Sequence, residues 1–221
     1  MINSDHYKNM TVPVFTPSFL KDLDRLFVWR RDVRHFRSSP VPDTVLNALL
    51  YETCLAPSVG LSEPWRFVLI KTPERKQAMK QNFIESNARD LEGRRGEEAK
   101  HYAKLKLSGM DEAPHHIAVF CDINPTQGRG LGRASMPETT TWSAVMAIHT
   151  FWLAATARGI GVGWVSILDP ELACRTLSIE PNWRFLAYLC VGYPQKSACK
   201  PELERLGWER RNPNRRKWIY R

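Results

Sequence analysis

The stretch VWRRDVRHFRSSPVP, Val28 to Pro42, decides how this chain is read. Four arginines, Arg30, Arg31, Arg34 and Arg37, fall within eight positions, with one acid, Asp32, among them. A charge run on an exposed helix usually alternates with acids and needs no ligand. Here the arginines stand among Trp29, Val33 and Phe36, where one helical pattern ends and the next has yet to begin. Arginine binds phosphate bidentately and keeps its charge when partly buried. A lone carboxylate among arginines is expected to stay ionised, because nearby positive charge favours that form. The stretch is therefore either a cradle for a phosphate-bearing ligand or a structural ion-pair cluster.

Outward from it, helix starts are legible. TPSFLKDLDRLFVWRR places Thr16 beside Pro17 and then Phe19, Leu20, Leu23, Leu26 and Phe27 at helical spacing. VPDTVLNALLYETC repeats the device, with Pro42 opening and Val45, Leu46, Leu49 and Leu50 on one face. WRFVLIK, HHIAVFCDI, IGVGWVSI and FLAYLCVGYP read as strands. Residues 73 to about 107 are polar and of mixed charge, and predict one or two exposed helices broken near Gly93 and Gly96. The segment from about Leu91 to Leu107 is a candidate lid. TTTWSAVMAIHTFWLAATARG is the most apolar helix and is expected to run through the core, with His149 a satisfied core histidine. DPELACRTL predicts a short helix between the last two strands. There is no internal repeat and no interdomain linker, so residues 1–221 read as one α+β domain with an N-terminal extension.

The chain has 221 residues, 43% hydrophobic and 25% charged, an ordinary globular balance. The first ten residues, MINSDHYKNM, lack the layout of a secretory signal, and no apolar run is long enough to span a membrane. Five cysteines, scattered and without a CxxC pair, fit reduced thiols and a cytoplasmic location. The net charge of +9 invites nucleic acid, but residues 205–221 hold seven basic residues and one acid, so six of those charges sit in the tail. The tail has no apolar period and is expected to need another surface to order it.

GRGLG (Gly128–Gly132) and GIGVG (Gly159–Gly163) have the wrong spacing or the wrong flanking elements for a dinucleotide fingerprint. Both read better as flexible or closely packed backbone. His115 and His116 are adjacent and cannot share a helix face, and no metal site is legible. No serine or cysteine has an evident base beside it.

RRDVRHF, APSVGLSEPWRF, GIGVGWVSILDP and VGYP, in that order and spacing from about Asp24 to Pro194, resemble the nitroreductase-like flavoprotein superfamily. Met136 to Pro170 and Pro201 to Glu209 narrow the resemblance to the 5,6-dimethylbenzimidazole synthases within it. The resemblance implies an α+β sandwich, its central mostly antiparallel sheet flanked by helices. It implies an intertwined homodimer with flavin at the interface and a C-terminal arm of about 195–221 exchanged between copies. It implies an oxygen-dependent conversion of reduced FMN to 5,6-dimethylbenzimidazole, the lower ligand of vitamin B12, with release of erythrose 4-phosphate. FMNH2 would be the substrate, O2 the co-substrate, and a separate NAD(P)H flavin reductase the supplier; no metal, nucleic acid or membrane is implied.

Carried onto this sequence, the resemblance implies that Arg30, Arg31, Asp32, Val33 and Arg34 hold FMN, with Ser58, Gly60, Leu61 and Ser166 beside it, and that Asp32 and Ser166 carry the chemistry. Leu61 and Glu63 stand where many nitroreductases have Asn and Gln, and Leu61 is expected to give a more apolar, closed pocket. Two rivals remain at this stage, an FMN-dependent NAD(P)H oxidoreductase of the same fold and a basic nucleic-acid-binding protein.

Overall fold

A computed structural model describes residues 12–215 and 218–221; the first ten residues, read above for a signal, lie outside the described residues. Helix α1 spans Pro17–Trp29, with the Thr16 hydroxyl accepting the Phe19 N–H as its cap. Helix α2 spans Asp43–Thr53. Strand β1 is Trp65–Ile70, followed by α3 (Pro73–Glu92) and α4 (Gly96–Tyr102), broken at the expected glycines. Strand β2 (His115–Asp122), α5 (Thr139–Ala157), β3 (Gly161–Val165), α6 (Pro170–Leu177), β4 (Trp183–Gly192) and α7 (Glu202–Arg205) complete the order.

The sheet runs β1-β2-β4-β3, antiparallel throughout, with β1 and β3 at its edges. Strands β2 and β4 are central and bury both faces, which is why they read as near-continuous apolar runs. Along β2, Ile117 and Val119 face Leu46, Leu49, Ile148 and Phe151 of α2 and α5. Ala118 and Phe120 point the other way, to Met79 of α3, Ala173 of α6 and Phe36. The two histidines separate in the same manner. His115 Nε2 lies 3.0 Å from the Val41 N–H. His116 is buried with Nδ1 2.7 Å from the Tyr188 hydroxyl and Nε2 3.0 Å from the Ala113 carbonyl.

Two expectations change. Helix α5 does not run wholly through the core: Ala144, Ala147, Ile148 and Phe151 are buried, whereas Trp142, Val145, Met146 and His149 are exposed in the single chain. His149 is thus not a core histidine. The arginine stretch is not a plain loop but an extended segment bridged to β3 at Asp32–Val162 and to Pro194 through Phe36. Within the single chain, the first part of the expected arm of about 195–221 makes contacts. Gln195 bonds to His35 and Phe36, the Glu202 carboxylate lies 3.0 Å from the His35 ring, and Trp208 packs edge-on to His101 and Tyr102. In the single chain Trp218, Ile219 and Tyr220 are exposed.

Candidate active site

The arginine segment is positioned by its neighbours on β3. The Val33 N–H donates to the Val162 carbonyl at 3.0 Å, and the Trp164 N–H donates to Asp32 Oδ1 at 2.8 Å. A side-chain oxygen thus takes the place of a ladder carbonyl at the sheet edge. This approach needs the glycine run: a Cβ on Gly163 would stand 2.1 Å from the Val33 carbonyl oxygen, and one on Gly161 2.9 Å from the Val33 side chain. GIGVG is close packing, as its sequence suggested, and what it packs is the arginine segment. Phe36, 1% exposed, anchors the far end in the core.

The side chains then differ in occupation. Arg34 Nε donates to Asp32 Oδ2 at 3.0 Å, and its Nη1 donates to the Lys106 carbonyl at 2.9 Å. The end of the candidate lid, held by the buried Tyr102, therefore borders the cradle. Arg30 lies over the Trp152 ring at 4.9 Å. Arg31 donates to the Cys199 carbonyl, but its Nε is buried without an acceptor among the described residues. Arg31, Asp32, Arg34 and His35 line a cleft whose other wall is Lys196, Lys200 and Arg205. The tail thus brings three cations to the cradle that the motif reading missed; the signal was their charge, which has no helical or strand period to place it.

Burial pushes the Asp32 carboxyl above the ordinary carboxylate range; Arg34, the Trp164 N–H and Arg30 pull it down without reversing the sign. The arginines do favour the ionised form, as their clustering suggested, but desolvation outweighs them and the net shift is upward. A carboxylate so raised is a better proton acceptor than a free one. Burial likewise lowers Arg30 and Arg31.

Ser166 follows β3 directly and is exposed. Its carbonyl accepts the Leu168 N–H at 3.0 Å. The hydroxyl has no partner among the described residues and opens on a groove walled by Ser86, Arg89 and Asp169. Asp32 and Ser166 thus stand on the same edge strand, one beside it and one at its end.

Ser58, Gly60 and Leu61 are elsewhere. They form a 3-10 turn (Val59–Leu61) before β1, where the Val59 N–H donates to Ser143 Oγ at the start of α5. Gly60, Leu61 and Glu63 all have positive φ. The turn is held by the other glycine run. A Cβ on Gly128 would stand 2.7 Å from the Gly60 carbonyl, and Gln127 Nε2 donates to the Leu61 carbonyl at 2.6 Å and to Glu63 Oε2 at 3.1 Å. Glu63, unexplained by sequence, is the acceptor of this clamp. Leu61 is 70% exposed in the single chain, so the chain alone does not close the expected apolar pocket.

In one chain the two groups do not converge. The sheet puts β1 and β3 three strand spacings apart, about 14 Å. Along α5, Ser143 and Trp152 are separated by about 13 Å of helix axis.

The nitroreductase family pattern matches residues 27–193. A protein of Rhodospirillum rubrum named 5,6-dimethylbenzimidazole synthase is 52% identical over 204 residues, 92% of this chain and 97% of that protein. One of the same name from Rhodobacter capsulatus is 44% identical, over 86% of this chain and 92% of that protein. Among solved structures, an iodotyrosine deiodinase bound to FMN and 3-iodo-L-tyrosine superposes with a TM-score of 0.70 at 23% identity, covering 90% of this chain and 97% of that one. A nitroreductase with bound FMN from Desulfitobacterium hafniense gives 0.63 at 18% identity, covering 89% and 97%. At these identities the structures speak for the fold. With an α+β antiparallel sheet of this topology and near full-length relatives of one name, the chain belongs to the nitroreductase family and, within it, to the 5,6-dimethylbenzimidazole synthases.

Proposed function

We propose that this protein is a cytoplasmic 5,6-dimethylbenzimidazole synthase that consumes reduced FMN and oxygen. Its near full-length relatives of that name carry the reading, and the residues present fit the substrate. A phosphate needs donors and positive charge; the cleft beside Asp32 offers Arg31, Arg34, Lys196, Lys200 and Arg205, and Arg31 Nε is a buried donor without an acceptor among the described residues. Arg30 lies over Trp152, and its N–H groups, which have no side-chain acceptor among the described residues, are available to an anion or a flavin carbonyl. Reduced flavin supplies the electrons that activate oxygen, and its own carbon skeleton supplies the product. Asp32 is fixed by the Trp164 N–H and Arg34, yet each carboxylate oxygen keeps a lone pair. It orients a ribityl hydroxyl and accepts its proton. Ser166 offers to the reacting face a hydroxyl that has no partner among the described residues.

The Ser58–Leu61 turn completes the site from a second copy, a reading supported by its place at the opposite edge of the sheet from the cradle. Exposed apolar groups on α1 (Phe19, Leu20, Phe27) and α5 (Trp142, Val145, Met146) give that copy a surface to cover. The stretch left for an exchanged arm begins after Trp208. A separate NAD(P)H-dependent reductase supplies the reduced flavin.

The test is product analysis after mixing photoreduced FMN with the protein in air. Part of the flavin is expected to be lost irreversibly, with a benzimidazole and a four-carbon sugar phosphate appearing together. Full recovery of FMN under conditions where it binds, with steady NAD(P)H oxidation, would place the protein among ordinary flavin oxidoreductases.

A further inference from the structure

Helix α3 is polar, with buried Met79 and Asn82 on its inner face. Asn82 is 1% exposed. A buried asparagine in a helix is unusual on two counts: Asn is a weak helix former, and an amide taken out of water costs free energy unless it is bonded. Both ends of this amide are bonded to one residue. Asn82 Oδ1 accepts the Asp169 N–H at 2.7 Å, and Asn82 Nδ2 donates to the Asp169 carbonyl at 2.9 Å. The Ser86 hydroxyl adds a third contact, 3.3 Å to the same Oδ1. Asp169 is the N-cap of α6, its Oδ1 accepting the Leu172 N–H at 2.9 Å.

The clamped residue lies three positions beyond Ser166. Between them the chain makes a tight turn, closed by Leu168 N–H to the Ser166 carbonyl. Upstream, Ser166 is held by β3, whose Trp164 N–H is bonded to Asp32. The turn is therefore fixed at one end by the carboxylate of the arginine cradle and at the other by Asn82. An apolar side chain would fill the same space in α3 without the desolvation cost, but would leave the Asp169 N–H unpaired, while the Asp169 carbonyl would keep only the Ala173 N–H.

We propose that Asn82 is a positioning residue for the reaction, holding the turn after β3 so that the Ser166 hydroxyl meets the substrate at a fixed place. The inference rests on the synthase reading, in which Ser166 acts on the bound reduced flavin. Displacement of a reacting group by about 1 Å costs on the order of a hundredfold. Loss of the clamp therefore appears in the fate of the flavin rather than in its binding.

The experiment is a single turnover with protein in excess over photoreduced FMN, mixed with oxygenated buffer. The readout is the share of bound flavin that becomes dimethylbenzimidazole rather than returning as FMN, a ratio that partial unfolding does not change. Asn82→Ala and the volume-filling Asn82→Leu are expected to lower that share about tenfold or more, with FMN affinity within about threefold of wild type. The Asn82→Ala/Ser166→Ala double variant is expected to reoxidise bound flavin at the rate of Ser166→Ala alone, because both changes remove one function. Wild-type product share in an FMN-binding Asn82 variant would overturn the proposal, as would additive effects in the double variant. Absence of product from the wild-type protein would instead sink the synthase reading, which keeps the two failures distinct.

Discussion

Asp32 makes two opposing demands on one side chain. Its oxygens are committed to the Trp164 N–H and to Arg34, which is structural work, while burial raises its pKa, which suits proton transfer. Asp32→Asn separates the two. The amide oxygen still accepts from Trp164, but its NH2 confronts the Arg34 donor, and basicity is gone. The variant is expected to fold and bind FMN while product formation drops on the order of a hundredfold. In the wild type, product formation is expected to fall as pH drops through an apparent pKa above the free-carboxylate value of about 3.9, a limb absent from the variant's profile. His116 gives a second titration, of stability. Burial first, then the Lys76 charge, lowers its pKa to about 4. The unfolded chain takes up that proton from about pH 6.5 downward, whereas the folded chain does not until about pH 4, so stability is lost as pH falls across that window. The loss is about 3 kcal/mol. Urea unfolding at pH 7 and pH 4.5 should show it in the wild type and not in His116→Gln.

At the scale of elements, β3 is the piece on which the cradle depends. Gly163→Ala drives a Cβ into the Val33 carbonyl, a backbone atom with no rotamer to give. It is expected to destabilise the chain by about 1–3 kcal/mol and to weaken FMN binding by parting Asp32 from Trp164; denaturant melts and flavin titration check both. The elements themselves were legible where local pattern decides them. β2 and β4 are apolar runs bounded by turns, and α1 and α6 carry Pro at the first turn after a side-chain cap. What was not legible depends on partners distant in sequence. Asn82 looks like any polar residue of a polar helix, and its role exists only because Asp169 lies against it. Lys200 and Arg205 carry no helical or strand period that would place them, and they meet the cleft because the tail folds back. Helix α5 read as buried because its sequence is apolar all round; burial of one face by this chain and exposure of the other is what a single-chain reading cannot separate.

At the scale of the molecule, the site residues named from sequence fall into two groups at opposite edges of one sheet, and the exposed face of α5 runs between them. No helix among the described residues is long and apolar enough to cross a membrane. Sedimentation is expected to give a dimer, and a chain ending after Trp208 to give a weaker one. The separation of the two groups has a genetic consequence. If each centre takes its cradle from one chain and its Ser58 turn from the other, two different inactive alleles can repair one another. An Arg30→Ala chain lacks a cradle but has a sound turn, and a Gly60→Val chain has the converse defect. Co-expressed, they assemble hybrids in which one centre inherits both defects and the other inherits none. With random pairing, about half of the assemblies are hybrids, so about a quarter of the wild-type centres return. Cells carrying either allele alone should need added dimethylbenzimidazole, and cells carrying both should not.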